Sequence, residues 1–239
     1  VKHNYSSGIR SIELTSDVFD FSMSGRWDIQ NILPIKEHIM QDAIVQNSKP
    51  WIPADFSFNL NAGDIGWISD LAHLDVSVSE QTHAYGNYSG FNRKWSLEFN
   101  IPSFHSNEFS GKSILIKSSQ NQSFHSSLIR ADSLNYKRFE LKDIVLNAIG
   151  ENNQRGVDID FIFIDSIPSR VNYNGQFSKD QITMDNLSFN LGTSSFSSTR
   201  SGSIVWEDSK IIADSLGVVG PSGAFWLTGN LLSKYNPEI

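Results

Sequence analysis

The sequence holds no cysteine, which excludes disulfides and thiolate metal sites but leaves the compartment open. Charge is scarce, at 19% of residues, with 19 Lys and Arg against 26 Asp and Glu and a net charge of −7. Lys and Arg form no cluster, so a nucleic-acid backbone has no electrostatic footprint to meet. No apolar run approaches the ~18–20 residues of a membrane-spanning helix, and no signal sequence is present. The chain opens VKHNYSS without a Met and stops at NPEI, which reads as a piece cut from something longer. An anchor in the parent protein is therefore not excluded.

Catalytic and cofactor signatures are missing too. His3, His38, His73, His83, His105 and His125 share no metal-ligand spacing, and each reads as a surface or strand-edge residue. Gly220-Pro221-Ser222-Gly223 lacks the spacing and strand-to-helix context of a nucleophile elbow and reads as a turn. No glycine-rich phosphate loop occurs, and the sequons at Asn4, Asn87, Asn121 and Asn186 are what an Asn- and Ser-rich chain gives by chance. The reading is a non-enzymatic protein with no cofactor and no metal.

What the chain does have is apolar alternation. Hydrophobic residues make up 39% and aromatics 12%, with 16 Phe and 6 Trp, which excludes disorder. In RGVDIDFIFIDS, residues 155–166, Val157, Ile159, Phe161 and Phe163 share one strand face. Asp158, Asp160, Ile162 and Ile164 share the other. The two aspartates stand about 7 Å apart by strand geometry, as acid/base pairs can. A solvated face whose charges discourage edge pairing is the better reading.

The same half-apolar strand returns along the chain. Ile12/Leu14 and Phe19/Phe21/Met23 open the series. The period then changes: Ile32, Ile35, Ile39 and Ala43 predict a helix over 31–46, with Asn31 as N-cap and Pro34 in the first turn. Ile65–Leu71 is compatible with a short second helix. Strands resume at Phe56/Phe58/Leu60 and at Val76/Val78, and HAYGNYSG at 83–90 reads as a glycine-tolerant strand. A strong strand, Trp95–Ile101, is expected to end at Pro102. Beyond it come Ile114/Ile116, Phe124/Leu128, Leu134/Tyr136, Phe139/Leu141 and Ile144/Leu146/Ala148. After Pro168 follow Val171/Tyr173, Ile182/Met184, Leu187/Phe189/Leu191, Ile204/Trp206, Leu216/Val218 and Phe225/Leu227. Short polar connections favour antiparallel neighbours. Weak repeats appear: Ala131-Asp132-Ser133-Leu134 recurs as 213–216, and Lys142–Asn147 resembles Asp185–Asn190.

FELKDIVLNAIGENNQRGVDIDFIFIDS (139–166), QITMDNLSFNLGTSSFSSTRSGSIVWEDS (181–209) and KIIADSLGVVGPSGAFWLTGNL (210–231) carry a family pattern. Strand, short polar turn, and "DSL" or "DNL" leading into the next strand resemble the TamB group of AsmA-like proteins, in the form found in Bacteroidota. That resemblance implies an all-β fold: an elongated, curved, mostly antiparallel sheet forming an open β-groove. The chain 1–239 would be a single segment of it, with a helical insertion at about 29–46. It also implies a periplasmic setting, in a parent anchored in the inner membrane of a Gram-negative bacterium. The implied partners are phospholipid acyl chains and, through the rest of the parent, the inner and outer membranes, with an outer-membrane barrel as a further candidate. The expected groove lining is Phe56, Phe58, Leu60, Trp95, Leu97, Phe99, Val157, Ile159, Phe161, Phe163, Leu187, Phe189, Leu191, Trp206, Phe225 and Leu227. A β-sandwich binding module for glycan or protein, with those residues packed against a second sheet, is the alternative.

Overall fold

A computed structural model describes residues 1–44, 50–63, 76–78, 81–151, 154–165, 167–178, 180–207, 210–221 and 223–233. The short helix expected over 65–71 lies outside them. The elements are β1 (Lys2–Ser6), β2 (Ile9–Thr15), β3 (Phe19–Arg26), α1 (Ile29–Ile44), β4 (Asp55–Ala62), β5 (Val76–Val78), β6 (Thr82–Ser89) and β7 (Lys94–Ser106). Then follow β8 (Phe109–Asn121), β9 (Phe124–Tyr136), β10 (Phe139–Glu151), β11 (Gln154–Ile164), β12 (Ser169–Phe177) and β13 (Gln181–Leu191). The chain closes with β14 (Ser194–Ser198), β15 (Gly202–Glu207), β16 (Lys210–Gly220) and β17 (Gly223–Ser233).

All seventeen strands belong to one sheet, and every described pairing is antiparallel. The sheet is a meander. Each strand pairs with the next, except that β5 continues the rank of β6 against β7, and β14 and β15 share one rank between β13 and β16. At ~4.8 Å per rank the sheet extends about 65–70 Å. Among the described residues β1 and β17 each pair on one side only, so the sheet is open. Among the described residues every strand belongs to this one sheet, and strand contacts run along the meander. This is the elongated, mostly antiparallel all-β sheet with one short helix that was expected.

The long strands do not alternate strictly, and the exceptions align. On β7 the apolar face runs Trp95, Leu97, Phe99, Ile101 and then skips to Phe104. On β8 it runs Ile116, Ile114 and skips to Gly111; on β9 it skips from Ala131 to Leu134, and on β10 from Ile144 to Leu141. Register places Pro102, Ser113, Asp132 and Asp143 level with one another, one extra residue per strand. Ser113 and Asp143 take left-handed backbone, with φ of 53° and 51°. β11 lacks the extra residue, so the β10–β11 register shifts between Lys142 and Val145. An extra residue bends a strand while holding its apolar side chains on one face. Four in a row crease the sheet lengthwise.

The crease explains three departures from expectation. β7 continues through Pro102, whose missing N–H falls at the irregular level. The "DSL" and "DNL" tripeptides, expected to lead into a new strand after a turn, lie in mid-strand in β9, β13 and β16, and the related Lys142–Asn147 repeat lies within β10. Ile182/Met184 and Leu187/Phe189/Leu191 form a single strand, its phase switched by a bulge against Asn174/Gly175. In β16 the same switch occurs at Ser215, φ 60°, between Ala213 and Leu216.

The helix starts at Ile29 behind Asp28, whose carbonyl accepts from Asn31 N–H at 2.9 Å. Asn31 is thus inside the helix rather than its cap. Pro34 stands in the second turn, where it removes the bond to the Gln30 carbonyl. α1 buries Ile35 and Ile39 with Met23, Trp27, Ala54, Tyr88 and Trp95. Ile12, Phe21, Phe56, Phe58 and Leu97 pack around that cluster. The helix lies on the same sheet face as the apolar wall and fills the groove over its first strands.

Candidate functional site

One face of the sheet carries most of the large apolar side chains, and cross-strand register sorts them into rows. Phe99, Ile116, Ile129, Leu146, Ile159, Tyr173 and Leu187 stand opposite one another in succession from β7 to β13. Beside them, Ile114, Ala131 and Ile144 are buried at the crease, with Ile101, Phe104, Leu134, Leu141 and Phe161 around them. This row is the floor of the groove. Gly111 is required there: a Cβ would sit 2.5 Å from Phe104 and 2.8 Å from both Ile114 and Leu134.

All sixteen residues expected to line the groove share this face, but not one environment. Phe56, Phe58, Trp95 and Leu97 lie in the cluster under α1, and Trp95 is 2% exposed. They are helix-packing residues rather than open wall, a correction that follows from the helix docking on the inner face. Leu60, Phe99, Val157, Ile159, Phe161, Phe163, Leu187, Phe189 and Trp206 are half-buried. Leu191, Phe225 and Leu227 are exposed toward the β17 end.

Three open hollows follow one another on this face. One of about 410 Å³ is lined by Leu146, Val157, Ile159, Tyr173 and Phe177, with Arg155 at its border. Another, of about 370 Å³, lies between Tyr173, Met184, Leu187, Leu216, Phe225 and Leu227. A third, of about 540 Å³, is bounded by Phe161, Phe163, Val171, Phe189 and Leu191. Tyr173 separates the first two; its hydroxyl donates to the Thr183 carbonyl at 2.8 Å, and burial pushes its pKa up. Phe189 stacks on Phe196 at 5.2 Å, and Phe196 meets Phe225 at 5.8 Å, carrying an aromatic ladder to the last strand. Met184 and Phe196, both buried wall residues, were not on the expected list. The i, i+3 apolar spacing around each "D-S/N-L" was the signal for Met184.

The other face is mainly polar or ion-paired, with a few apolar side chains among the charges. Asp160 accepts two bonds from Arg170, at 3.0 Å from Nε and 2.5 Å from Nη2, and Asp158 accepts from the Asn174 amide. Both carboxylates sit on the interior strand β11, so their role is cross-strand pairing rather than edge protection. Ile162 and Ile164 stay on this uncovered face, opposite Lys142 and Glu140. Phe124 and Leu128 also point there, since their strand-mate His125 is on the inner side.

One end of the inner face is polar. Trp95, Gln120, His125, Gly150, Arg155 and Phe177 follow one another across β7–β12. Trp95 Nε1 donates to Gln120 Oε1 at 2.7 Å. His125 is 2% exposed, and neither ring nitrogen has a hydrogen-bond partner among the described residues. Burial, and secondarily the charge of Arg155, lower its pKa to about 4. His38 is equally buried, against Trp51 under the helix. Both histidines correct the expectation of surface positions.

Comparison with protein-family models, curated proteins and solved structures returns no match.

Proposed function

We propose that the inner face carries phospholipid acyl chains, and that the chain is a stretch of groove from an envelope-spanning protein of the TamB and AsmA-like kind. In that reading it works in the periplasm of a Gram-negative cell and passes lipid between the inner and outer membranes, helped there by parts of the parent and an outer-membrane barrel. The observation that carries the proposal is the apolar face from β8 to β17, where most of the expected lining is half-buried and three open apolar hollows lie. Exposing a sixteen-carbon chain to water costs about 12 kcal/mol at ~0.8 kcal/mol per methylene. A wall of Ile, Leu and Phe offsets most of that without a tight site, so a chain can slide along the rows while its head group stays in water. The outer face, with ion pairs such as Lys117–Glu98 and Arg170–Asp160, suits solvent.

The test is a photo-crosslinking amino acid placed at Leu187 on the inner face and at Leu128 on the outer face, in the full-length parent in cells. Lipid adducts at Leu187 and none at Leu128 support the proposal. Equal labelling, or none at either position, sinks it.

A further inference from the structure

Resting on the acyl-chain reading above for where the lipid goes, we infer that one rim of the groove rests on a phospholipid bilayer, and that the 540 Å³ hollow is the side entrance by which an acyl chain leaves it. The meander puts the turns β7–β8, β9–β10, β11–β12 and β13–β14 on one rim and β8–β9, β10–β11 and β12–β13 on the other. The two rims differ. On the first, each turn carries an exposed large apolar side chain: Phe109 at 50%, Tyr136 at 37%, Ile167 at 57% and Leu191 at 52%. At the second stand Gln122 and Ser123, Glu151 and Gln154, and Ser178 and Asp180. Turns on one rim are two ranks apart, so the four apolar tips follow at about 10 Å intervals over about 30 Å. Single apolar side chains at that spacing, with polar residues between them, do not make the close-packed core of a protein interface. They suit separate insertion into the interfacial layer of a bilayer, where aromatic rings and flanking cations collect. Phe109 and Tyr136 stack at 4.5 Å, and Lys137 lies 5.0 Å over the Tyr136 ring while pairing with Glu108 at 3.2 Å. The formal charges in the four turns are Glu108, Lys137, Arg138 and Asp165, which cancel. The rim therefore fits a zwitterionic surface and needs no anionic lipid. Two of the tips also open the groove. Ile167 and Leu191 line the 540 Å³ hollow together with Phe161 and Phe163, with Asp165 and Ser169 as its polar members. Phe161 in turn packs on the crease floor, so apolar surface leads from the rim inward.

The experiment uses the purified chain and phosphatidylcholine vesicles. Because the chain has no cysteine, Thr193→Cys on the apolar rim and Gln122→Cys on the polar rim can each carry a polarity-sensitive dye. With vesicles the dye at 193 should shift to the blue and the dye at 122 should not. Shifts at both positions, or at neither, overturn the rim contact. In co-sedimentation, Phe109→Ser combined with Tyr136→Ser should weaken vesicle binding about tenfold. Phe124→Ser, which removes a 43% exposed ring from the outer face, should leave it unchanged, and an equal effect of the two changes overturns the assignment. Adding phosphatidylglycerol to the vesicles should alter binding by less than about twofold, and a steep rise would overturn the neutral rim. Monomeric lysophosphatidylcholine bypasses the entrance, so the double variant should bind it as the native chain does. An equal loss there places the two rings in the acyl site and overturns the rim. A native chain that binds vesicles but no lysophosphatidylcholine keeps the rim contact and removes the groove reading. A native chain that ignores vesicles but dimerises, with the dimer lost in the double variant, assigns the rim to a second copy and overturns the bilayer. Should the double variant not fold, the two dye positions decide.

Discussion

Replacing Phe161 by Asp separates an open wall from a closed core. Phe161 is half-buried beside the floor residues Ile144 and Ala131 and borders the 540 Å³ hollow. Truncating a fully buried Phe costs about 3–5 kcal/mol, so a half-buried one loses about 2 kcal/mol. The new carboxylate can turn toward the open side, so the desolvation penalty of an unpaired buried charge is largely avoided. Phe161→Asp should therefore lower stability by about 2–3 kcal/mol, within the 5–15 kcal/mol of an ordinary domain, and keep its β-type far-UV spectrum. Lipid binding should be lost. Ala131→Asp, at 4% exposure on the crease, provides the contrast and should unfold the chain. Urea midpoints and circular dichroism give both readouts. Unfolding by Phe161→Asp as complete as by Ala131→Asp would refute the open-wall reasoning.

Further outcomes follow from the same geometry. Ser113 is exposed and left-handed, so Ser113→Val should destabilise by about 1–2 kcal/mol while Ser113→Gly stays near neutral, measured by urea unfolding. His125 has a folded pKa near 4 against 6.5 unfolded, so the unfolded chain binds the extra proton. Stability is then full above pH 6.5 and declines by about 3 kcal/mol as pH falls to 4; urea midpoints should show that slope, and His125→Gln should flatten it. Ile35→Ala, at 2% exposure under the helix, should cost about 2–4 kcal/mol and red-shift tryptophan emission, whereas Leu33→Ala, at 68% exposure, should do neither.

Much of this architecture is legible in the residues, and the rest is hidden for physical reasons. Period-two alternation located the wall because a strand face is a local property: Val157–Phe163 or Leu187–Phe189 needs no knowledge of partners. Period three-to-four located α1, although Asp28 rather than Asn31 precedes its first turn. Ile182/Met184 and Leu187/Phe189/Leu191 read as two strands because an apolar i, i+3 step through Asp185-Asn186 has the composition of a turn. Only the register of neighbouring strands shows that Asp132 and Asp143 stand level inside β9 and β10. Which residues the helix covers is a long-range matter. Nothing local distinguishes Trp95, under α1, from Phe99, outside its cluster, four residues along the same strand. The burial of His125 was missed for the same reason, since only register puts it on the inner face between Gln120 and Gly150.

The most direct test of the groove is mass spectrometry of solvent extracts from the purified chain, with Phe161→Asp prepared in parallel. Phospholipid should co-purify with the native chain and be depleted in the variant. A native chain that yields no extractable lipid would contradict the account.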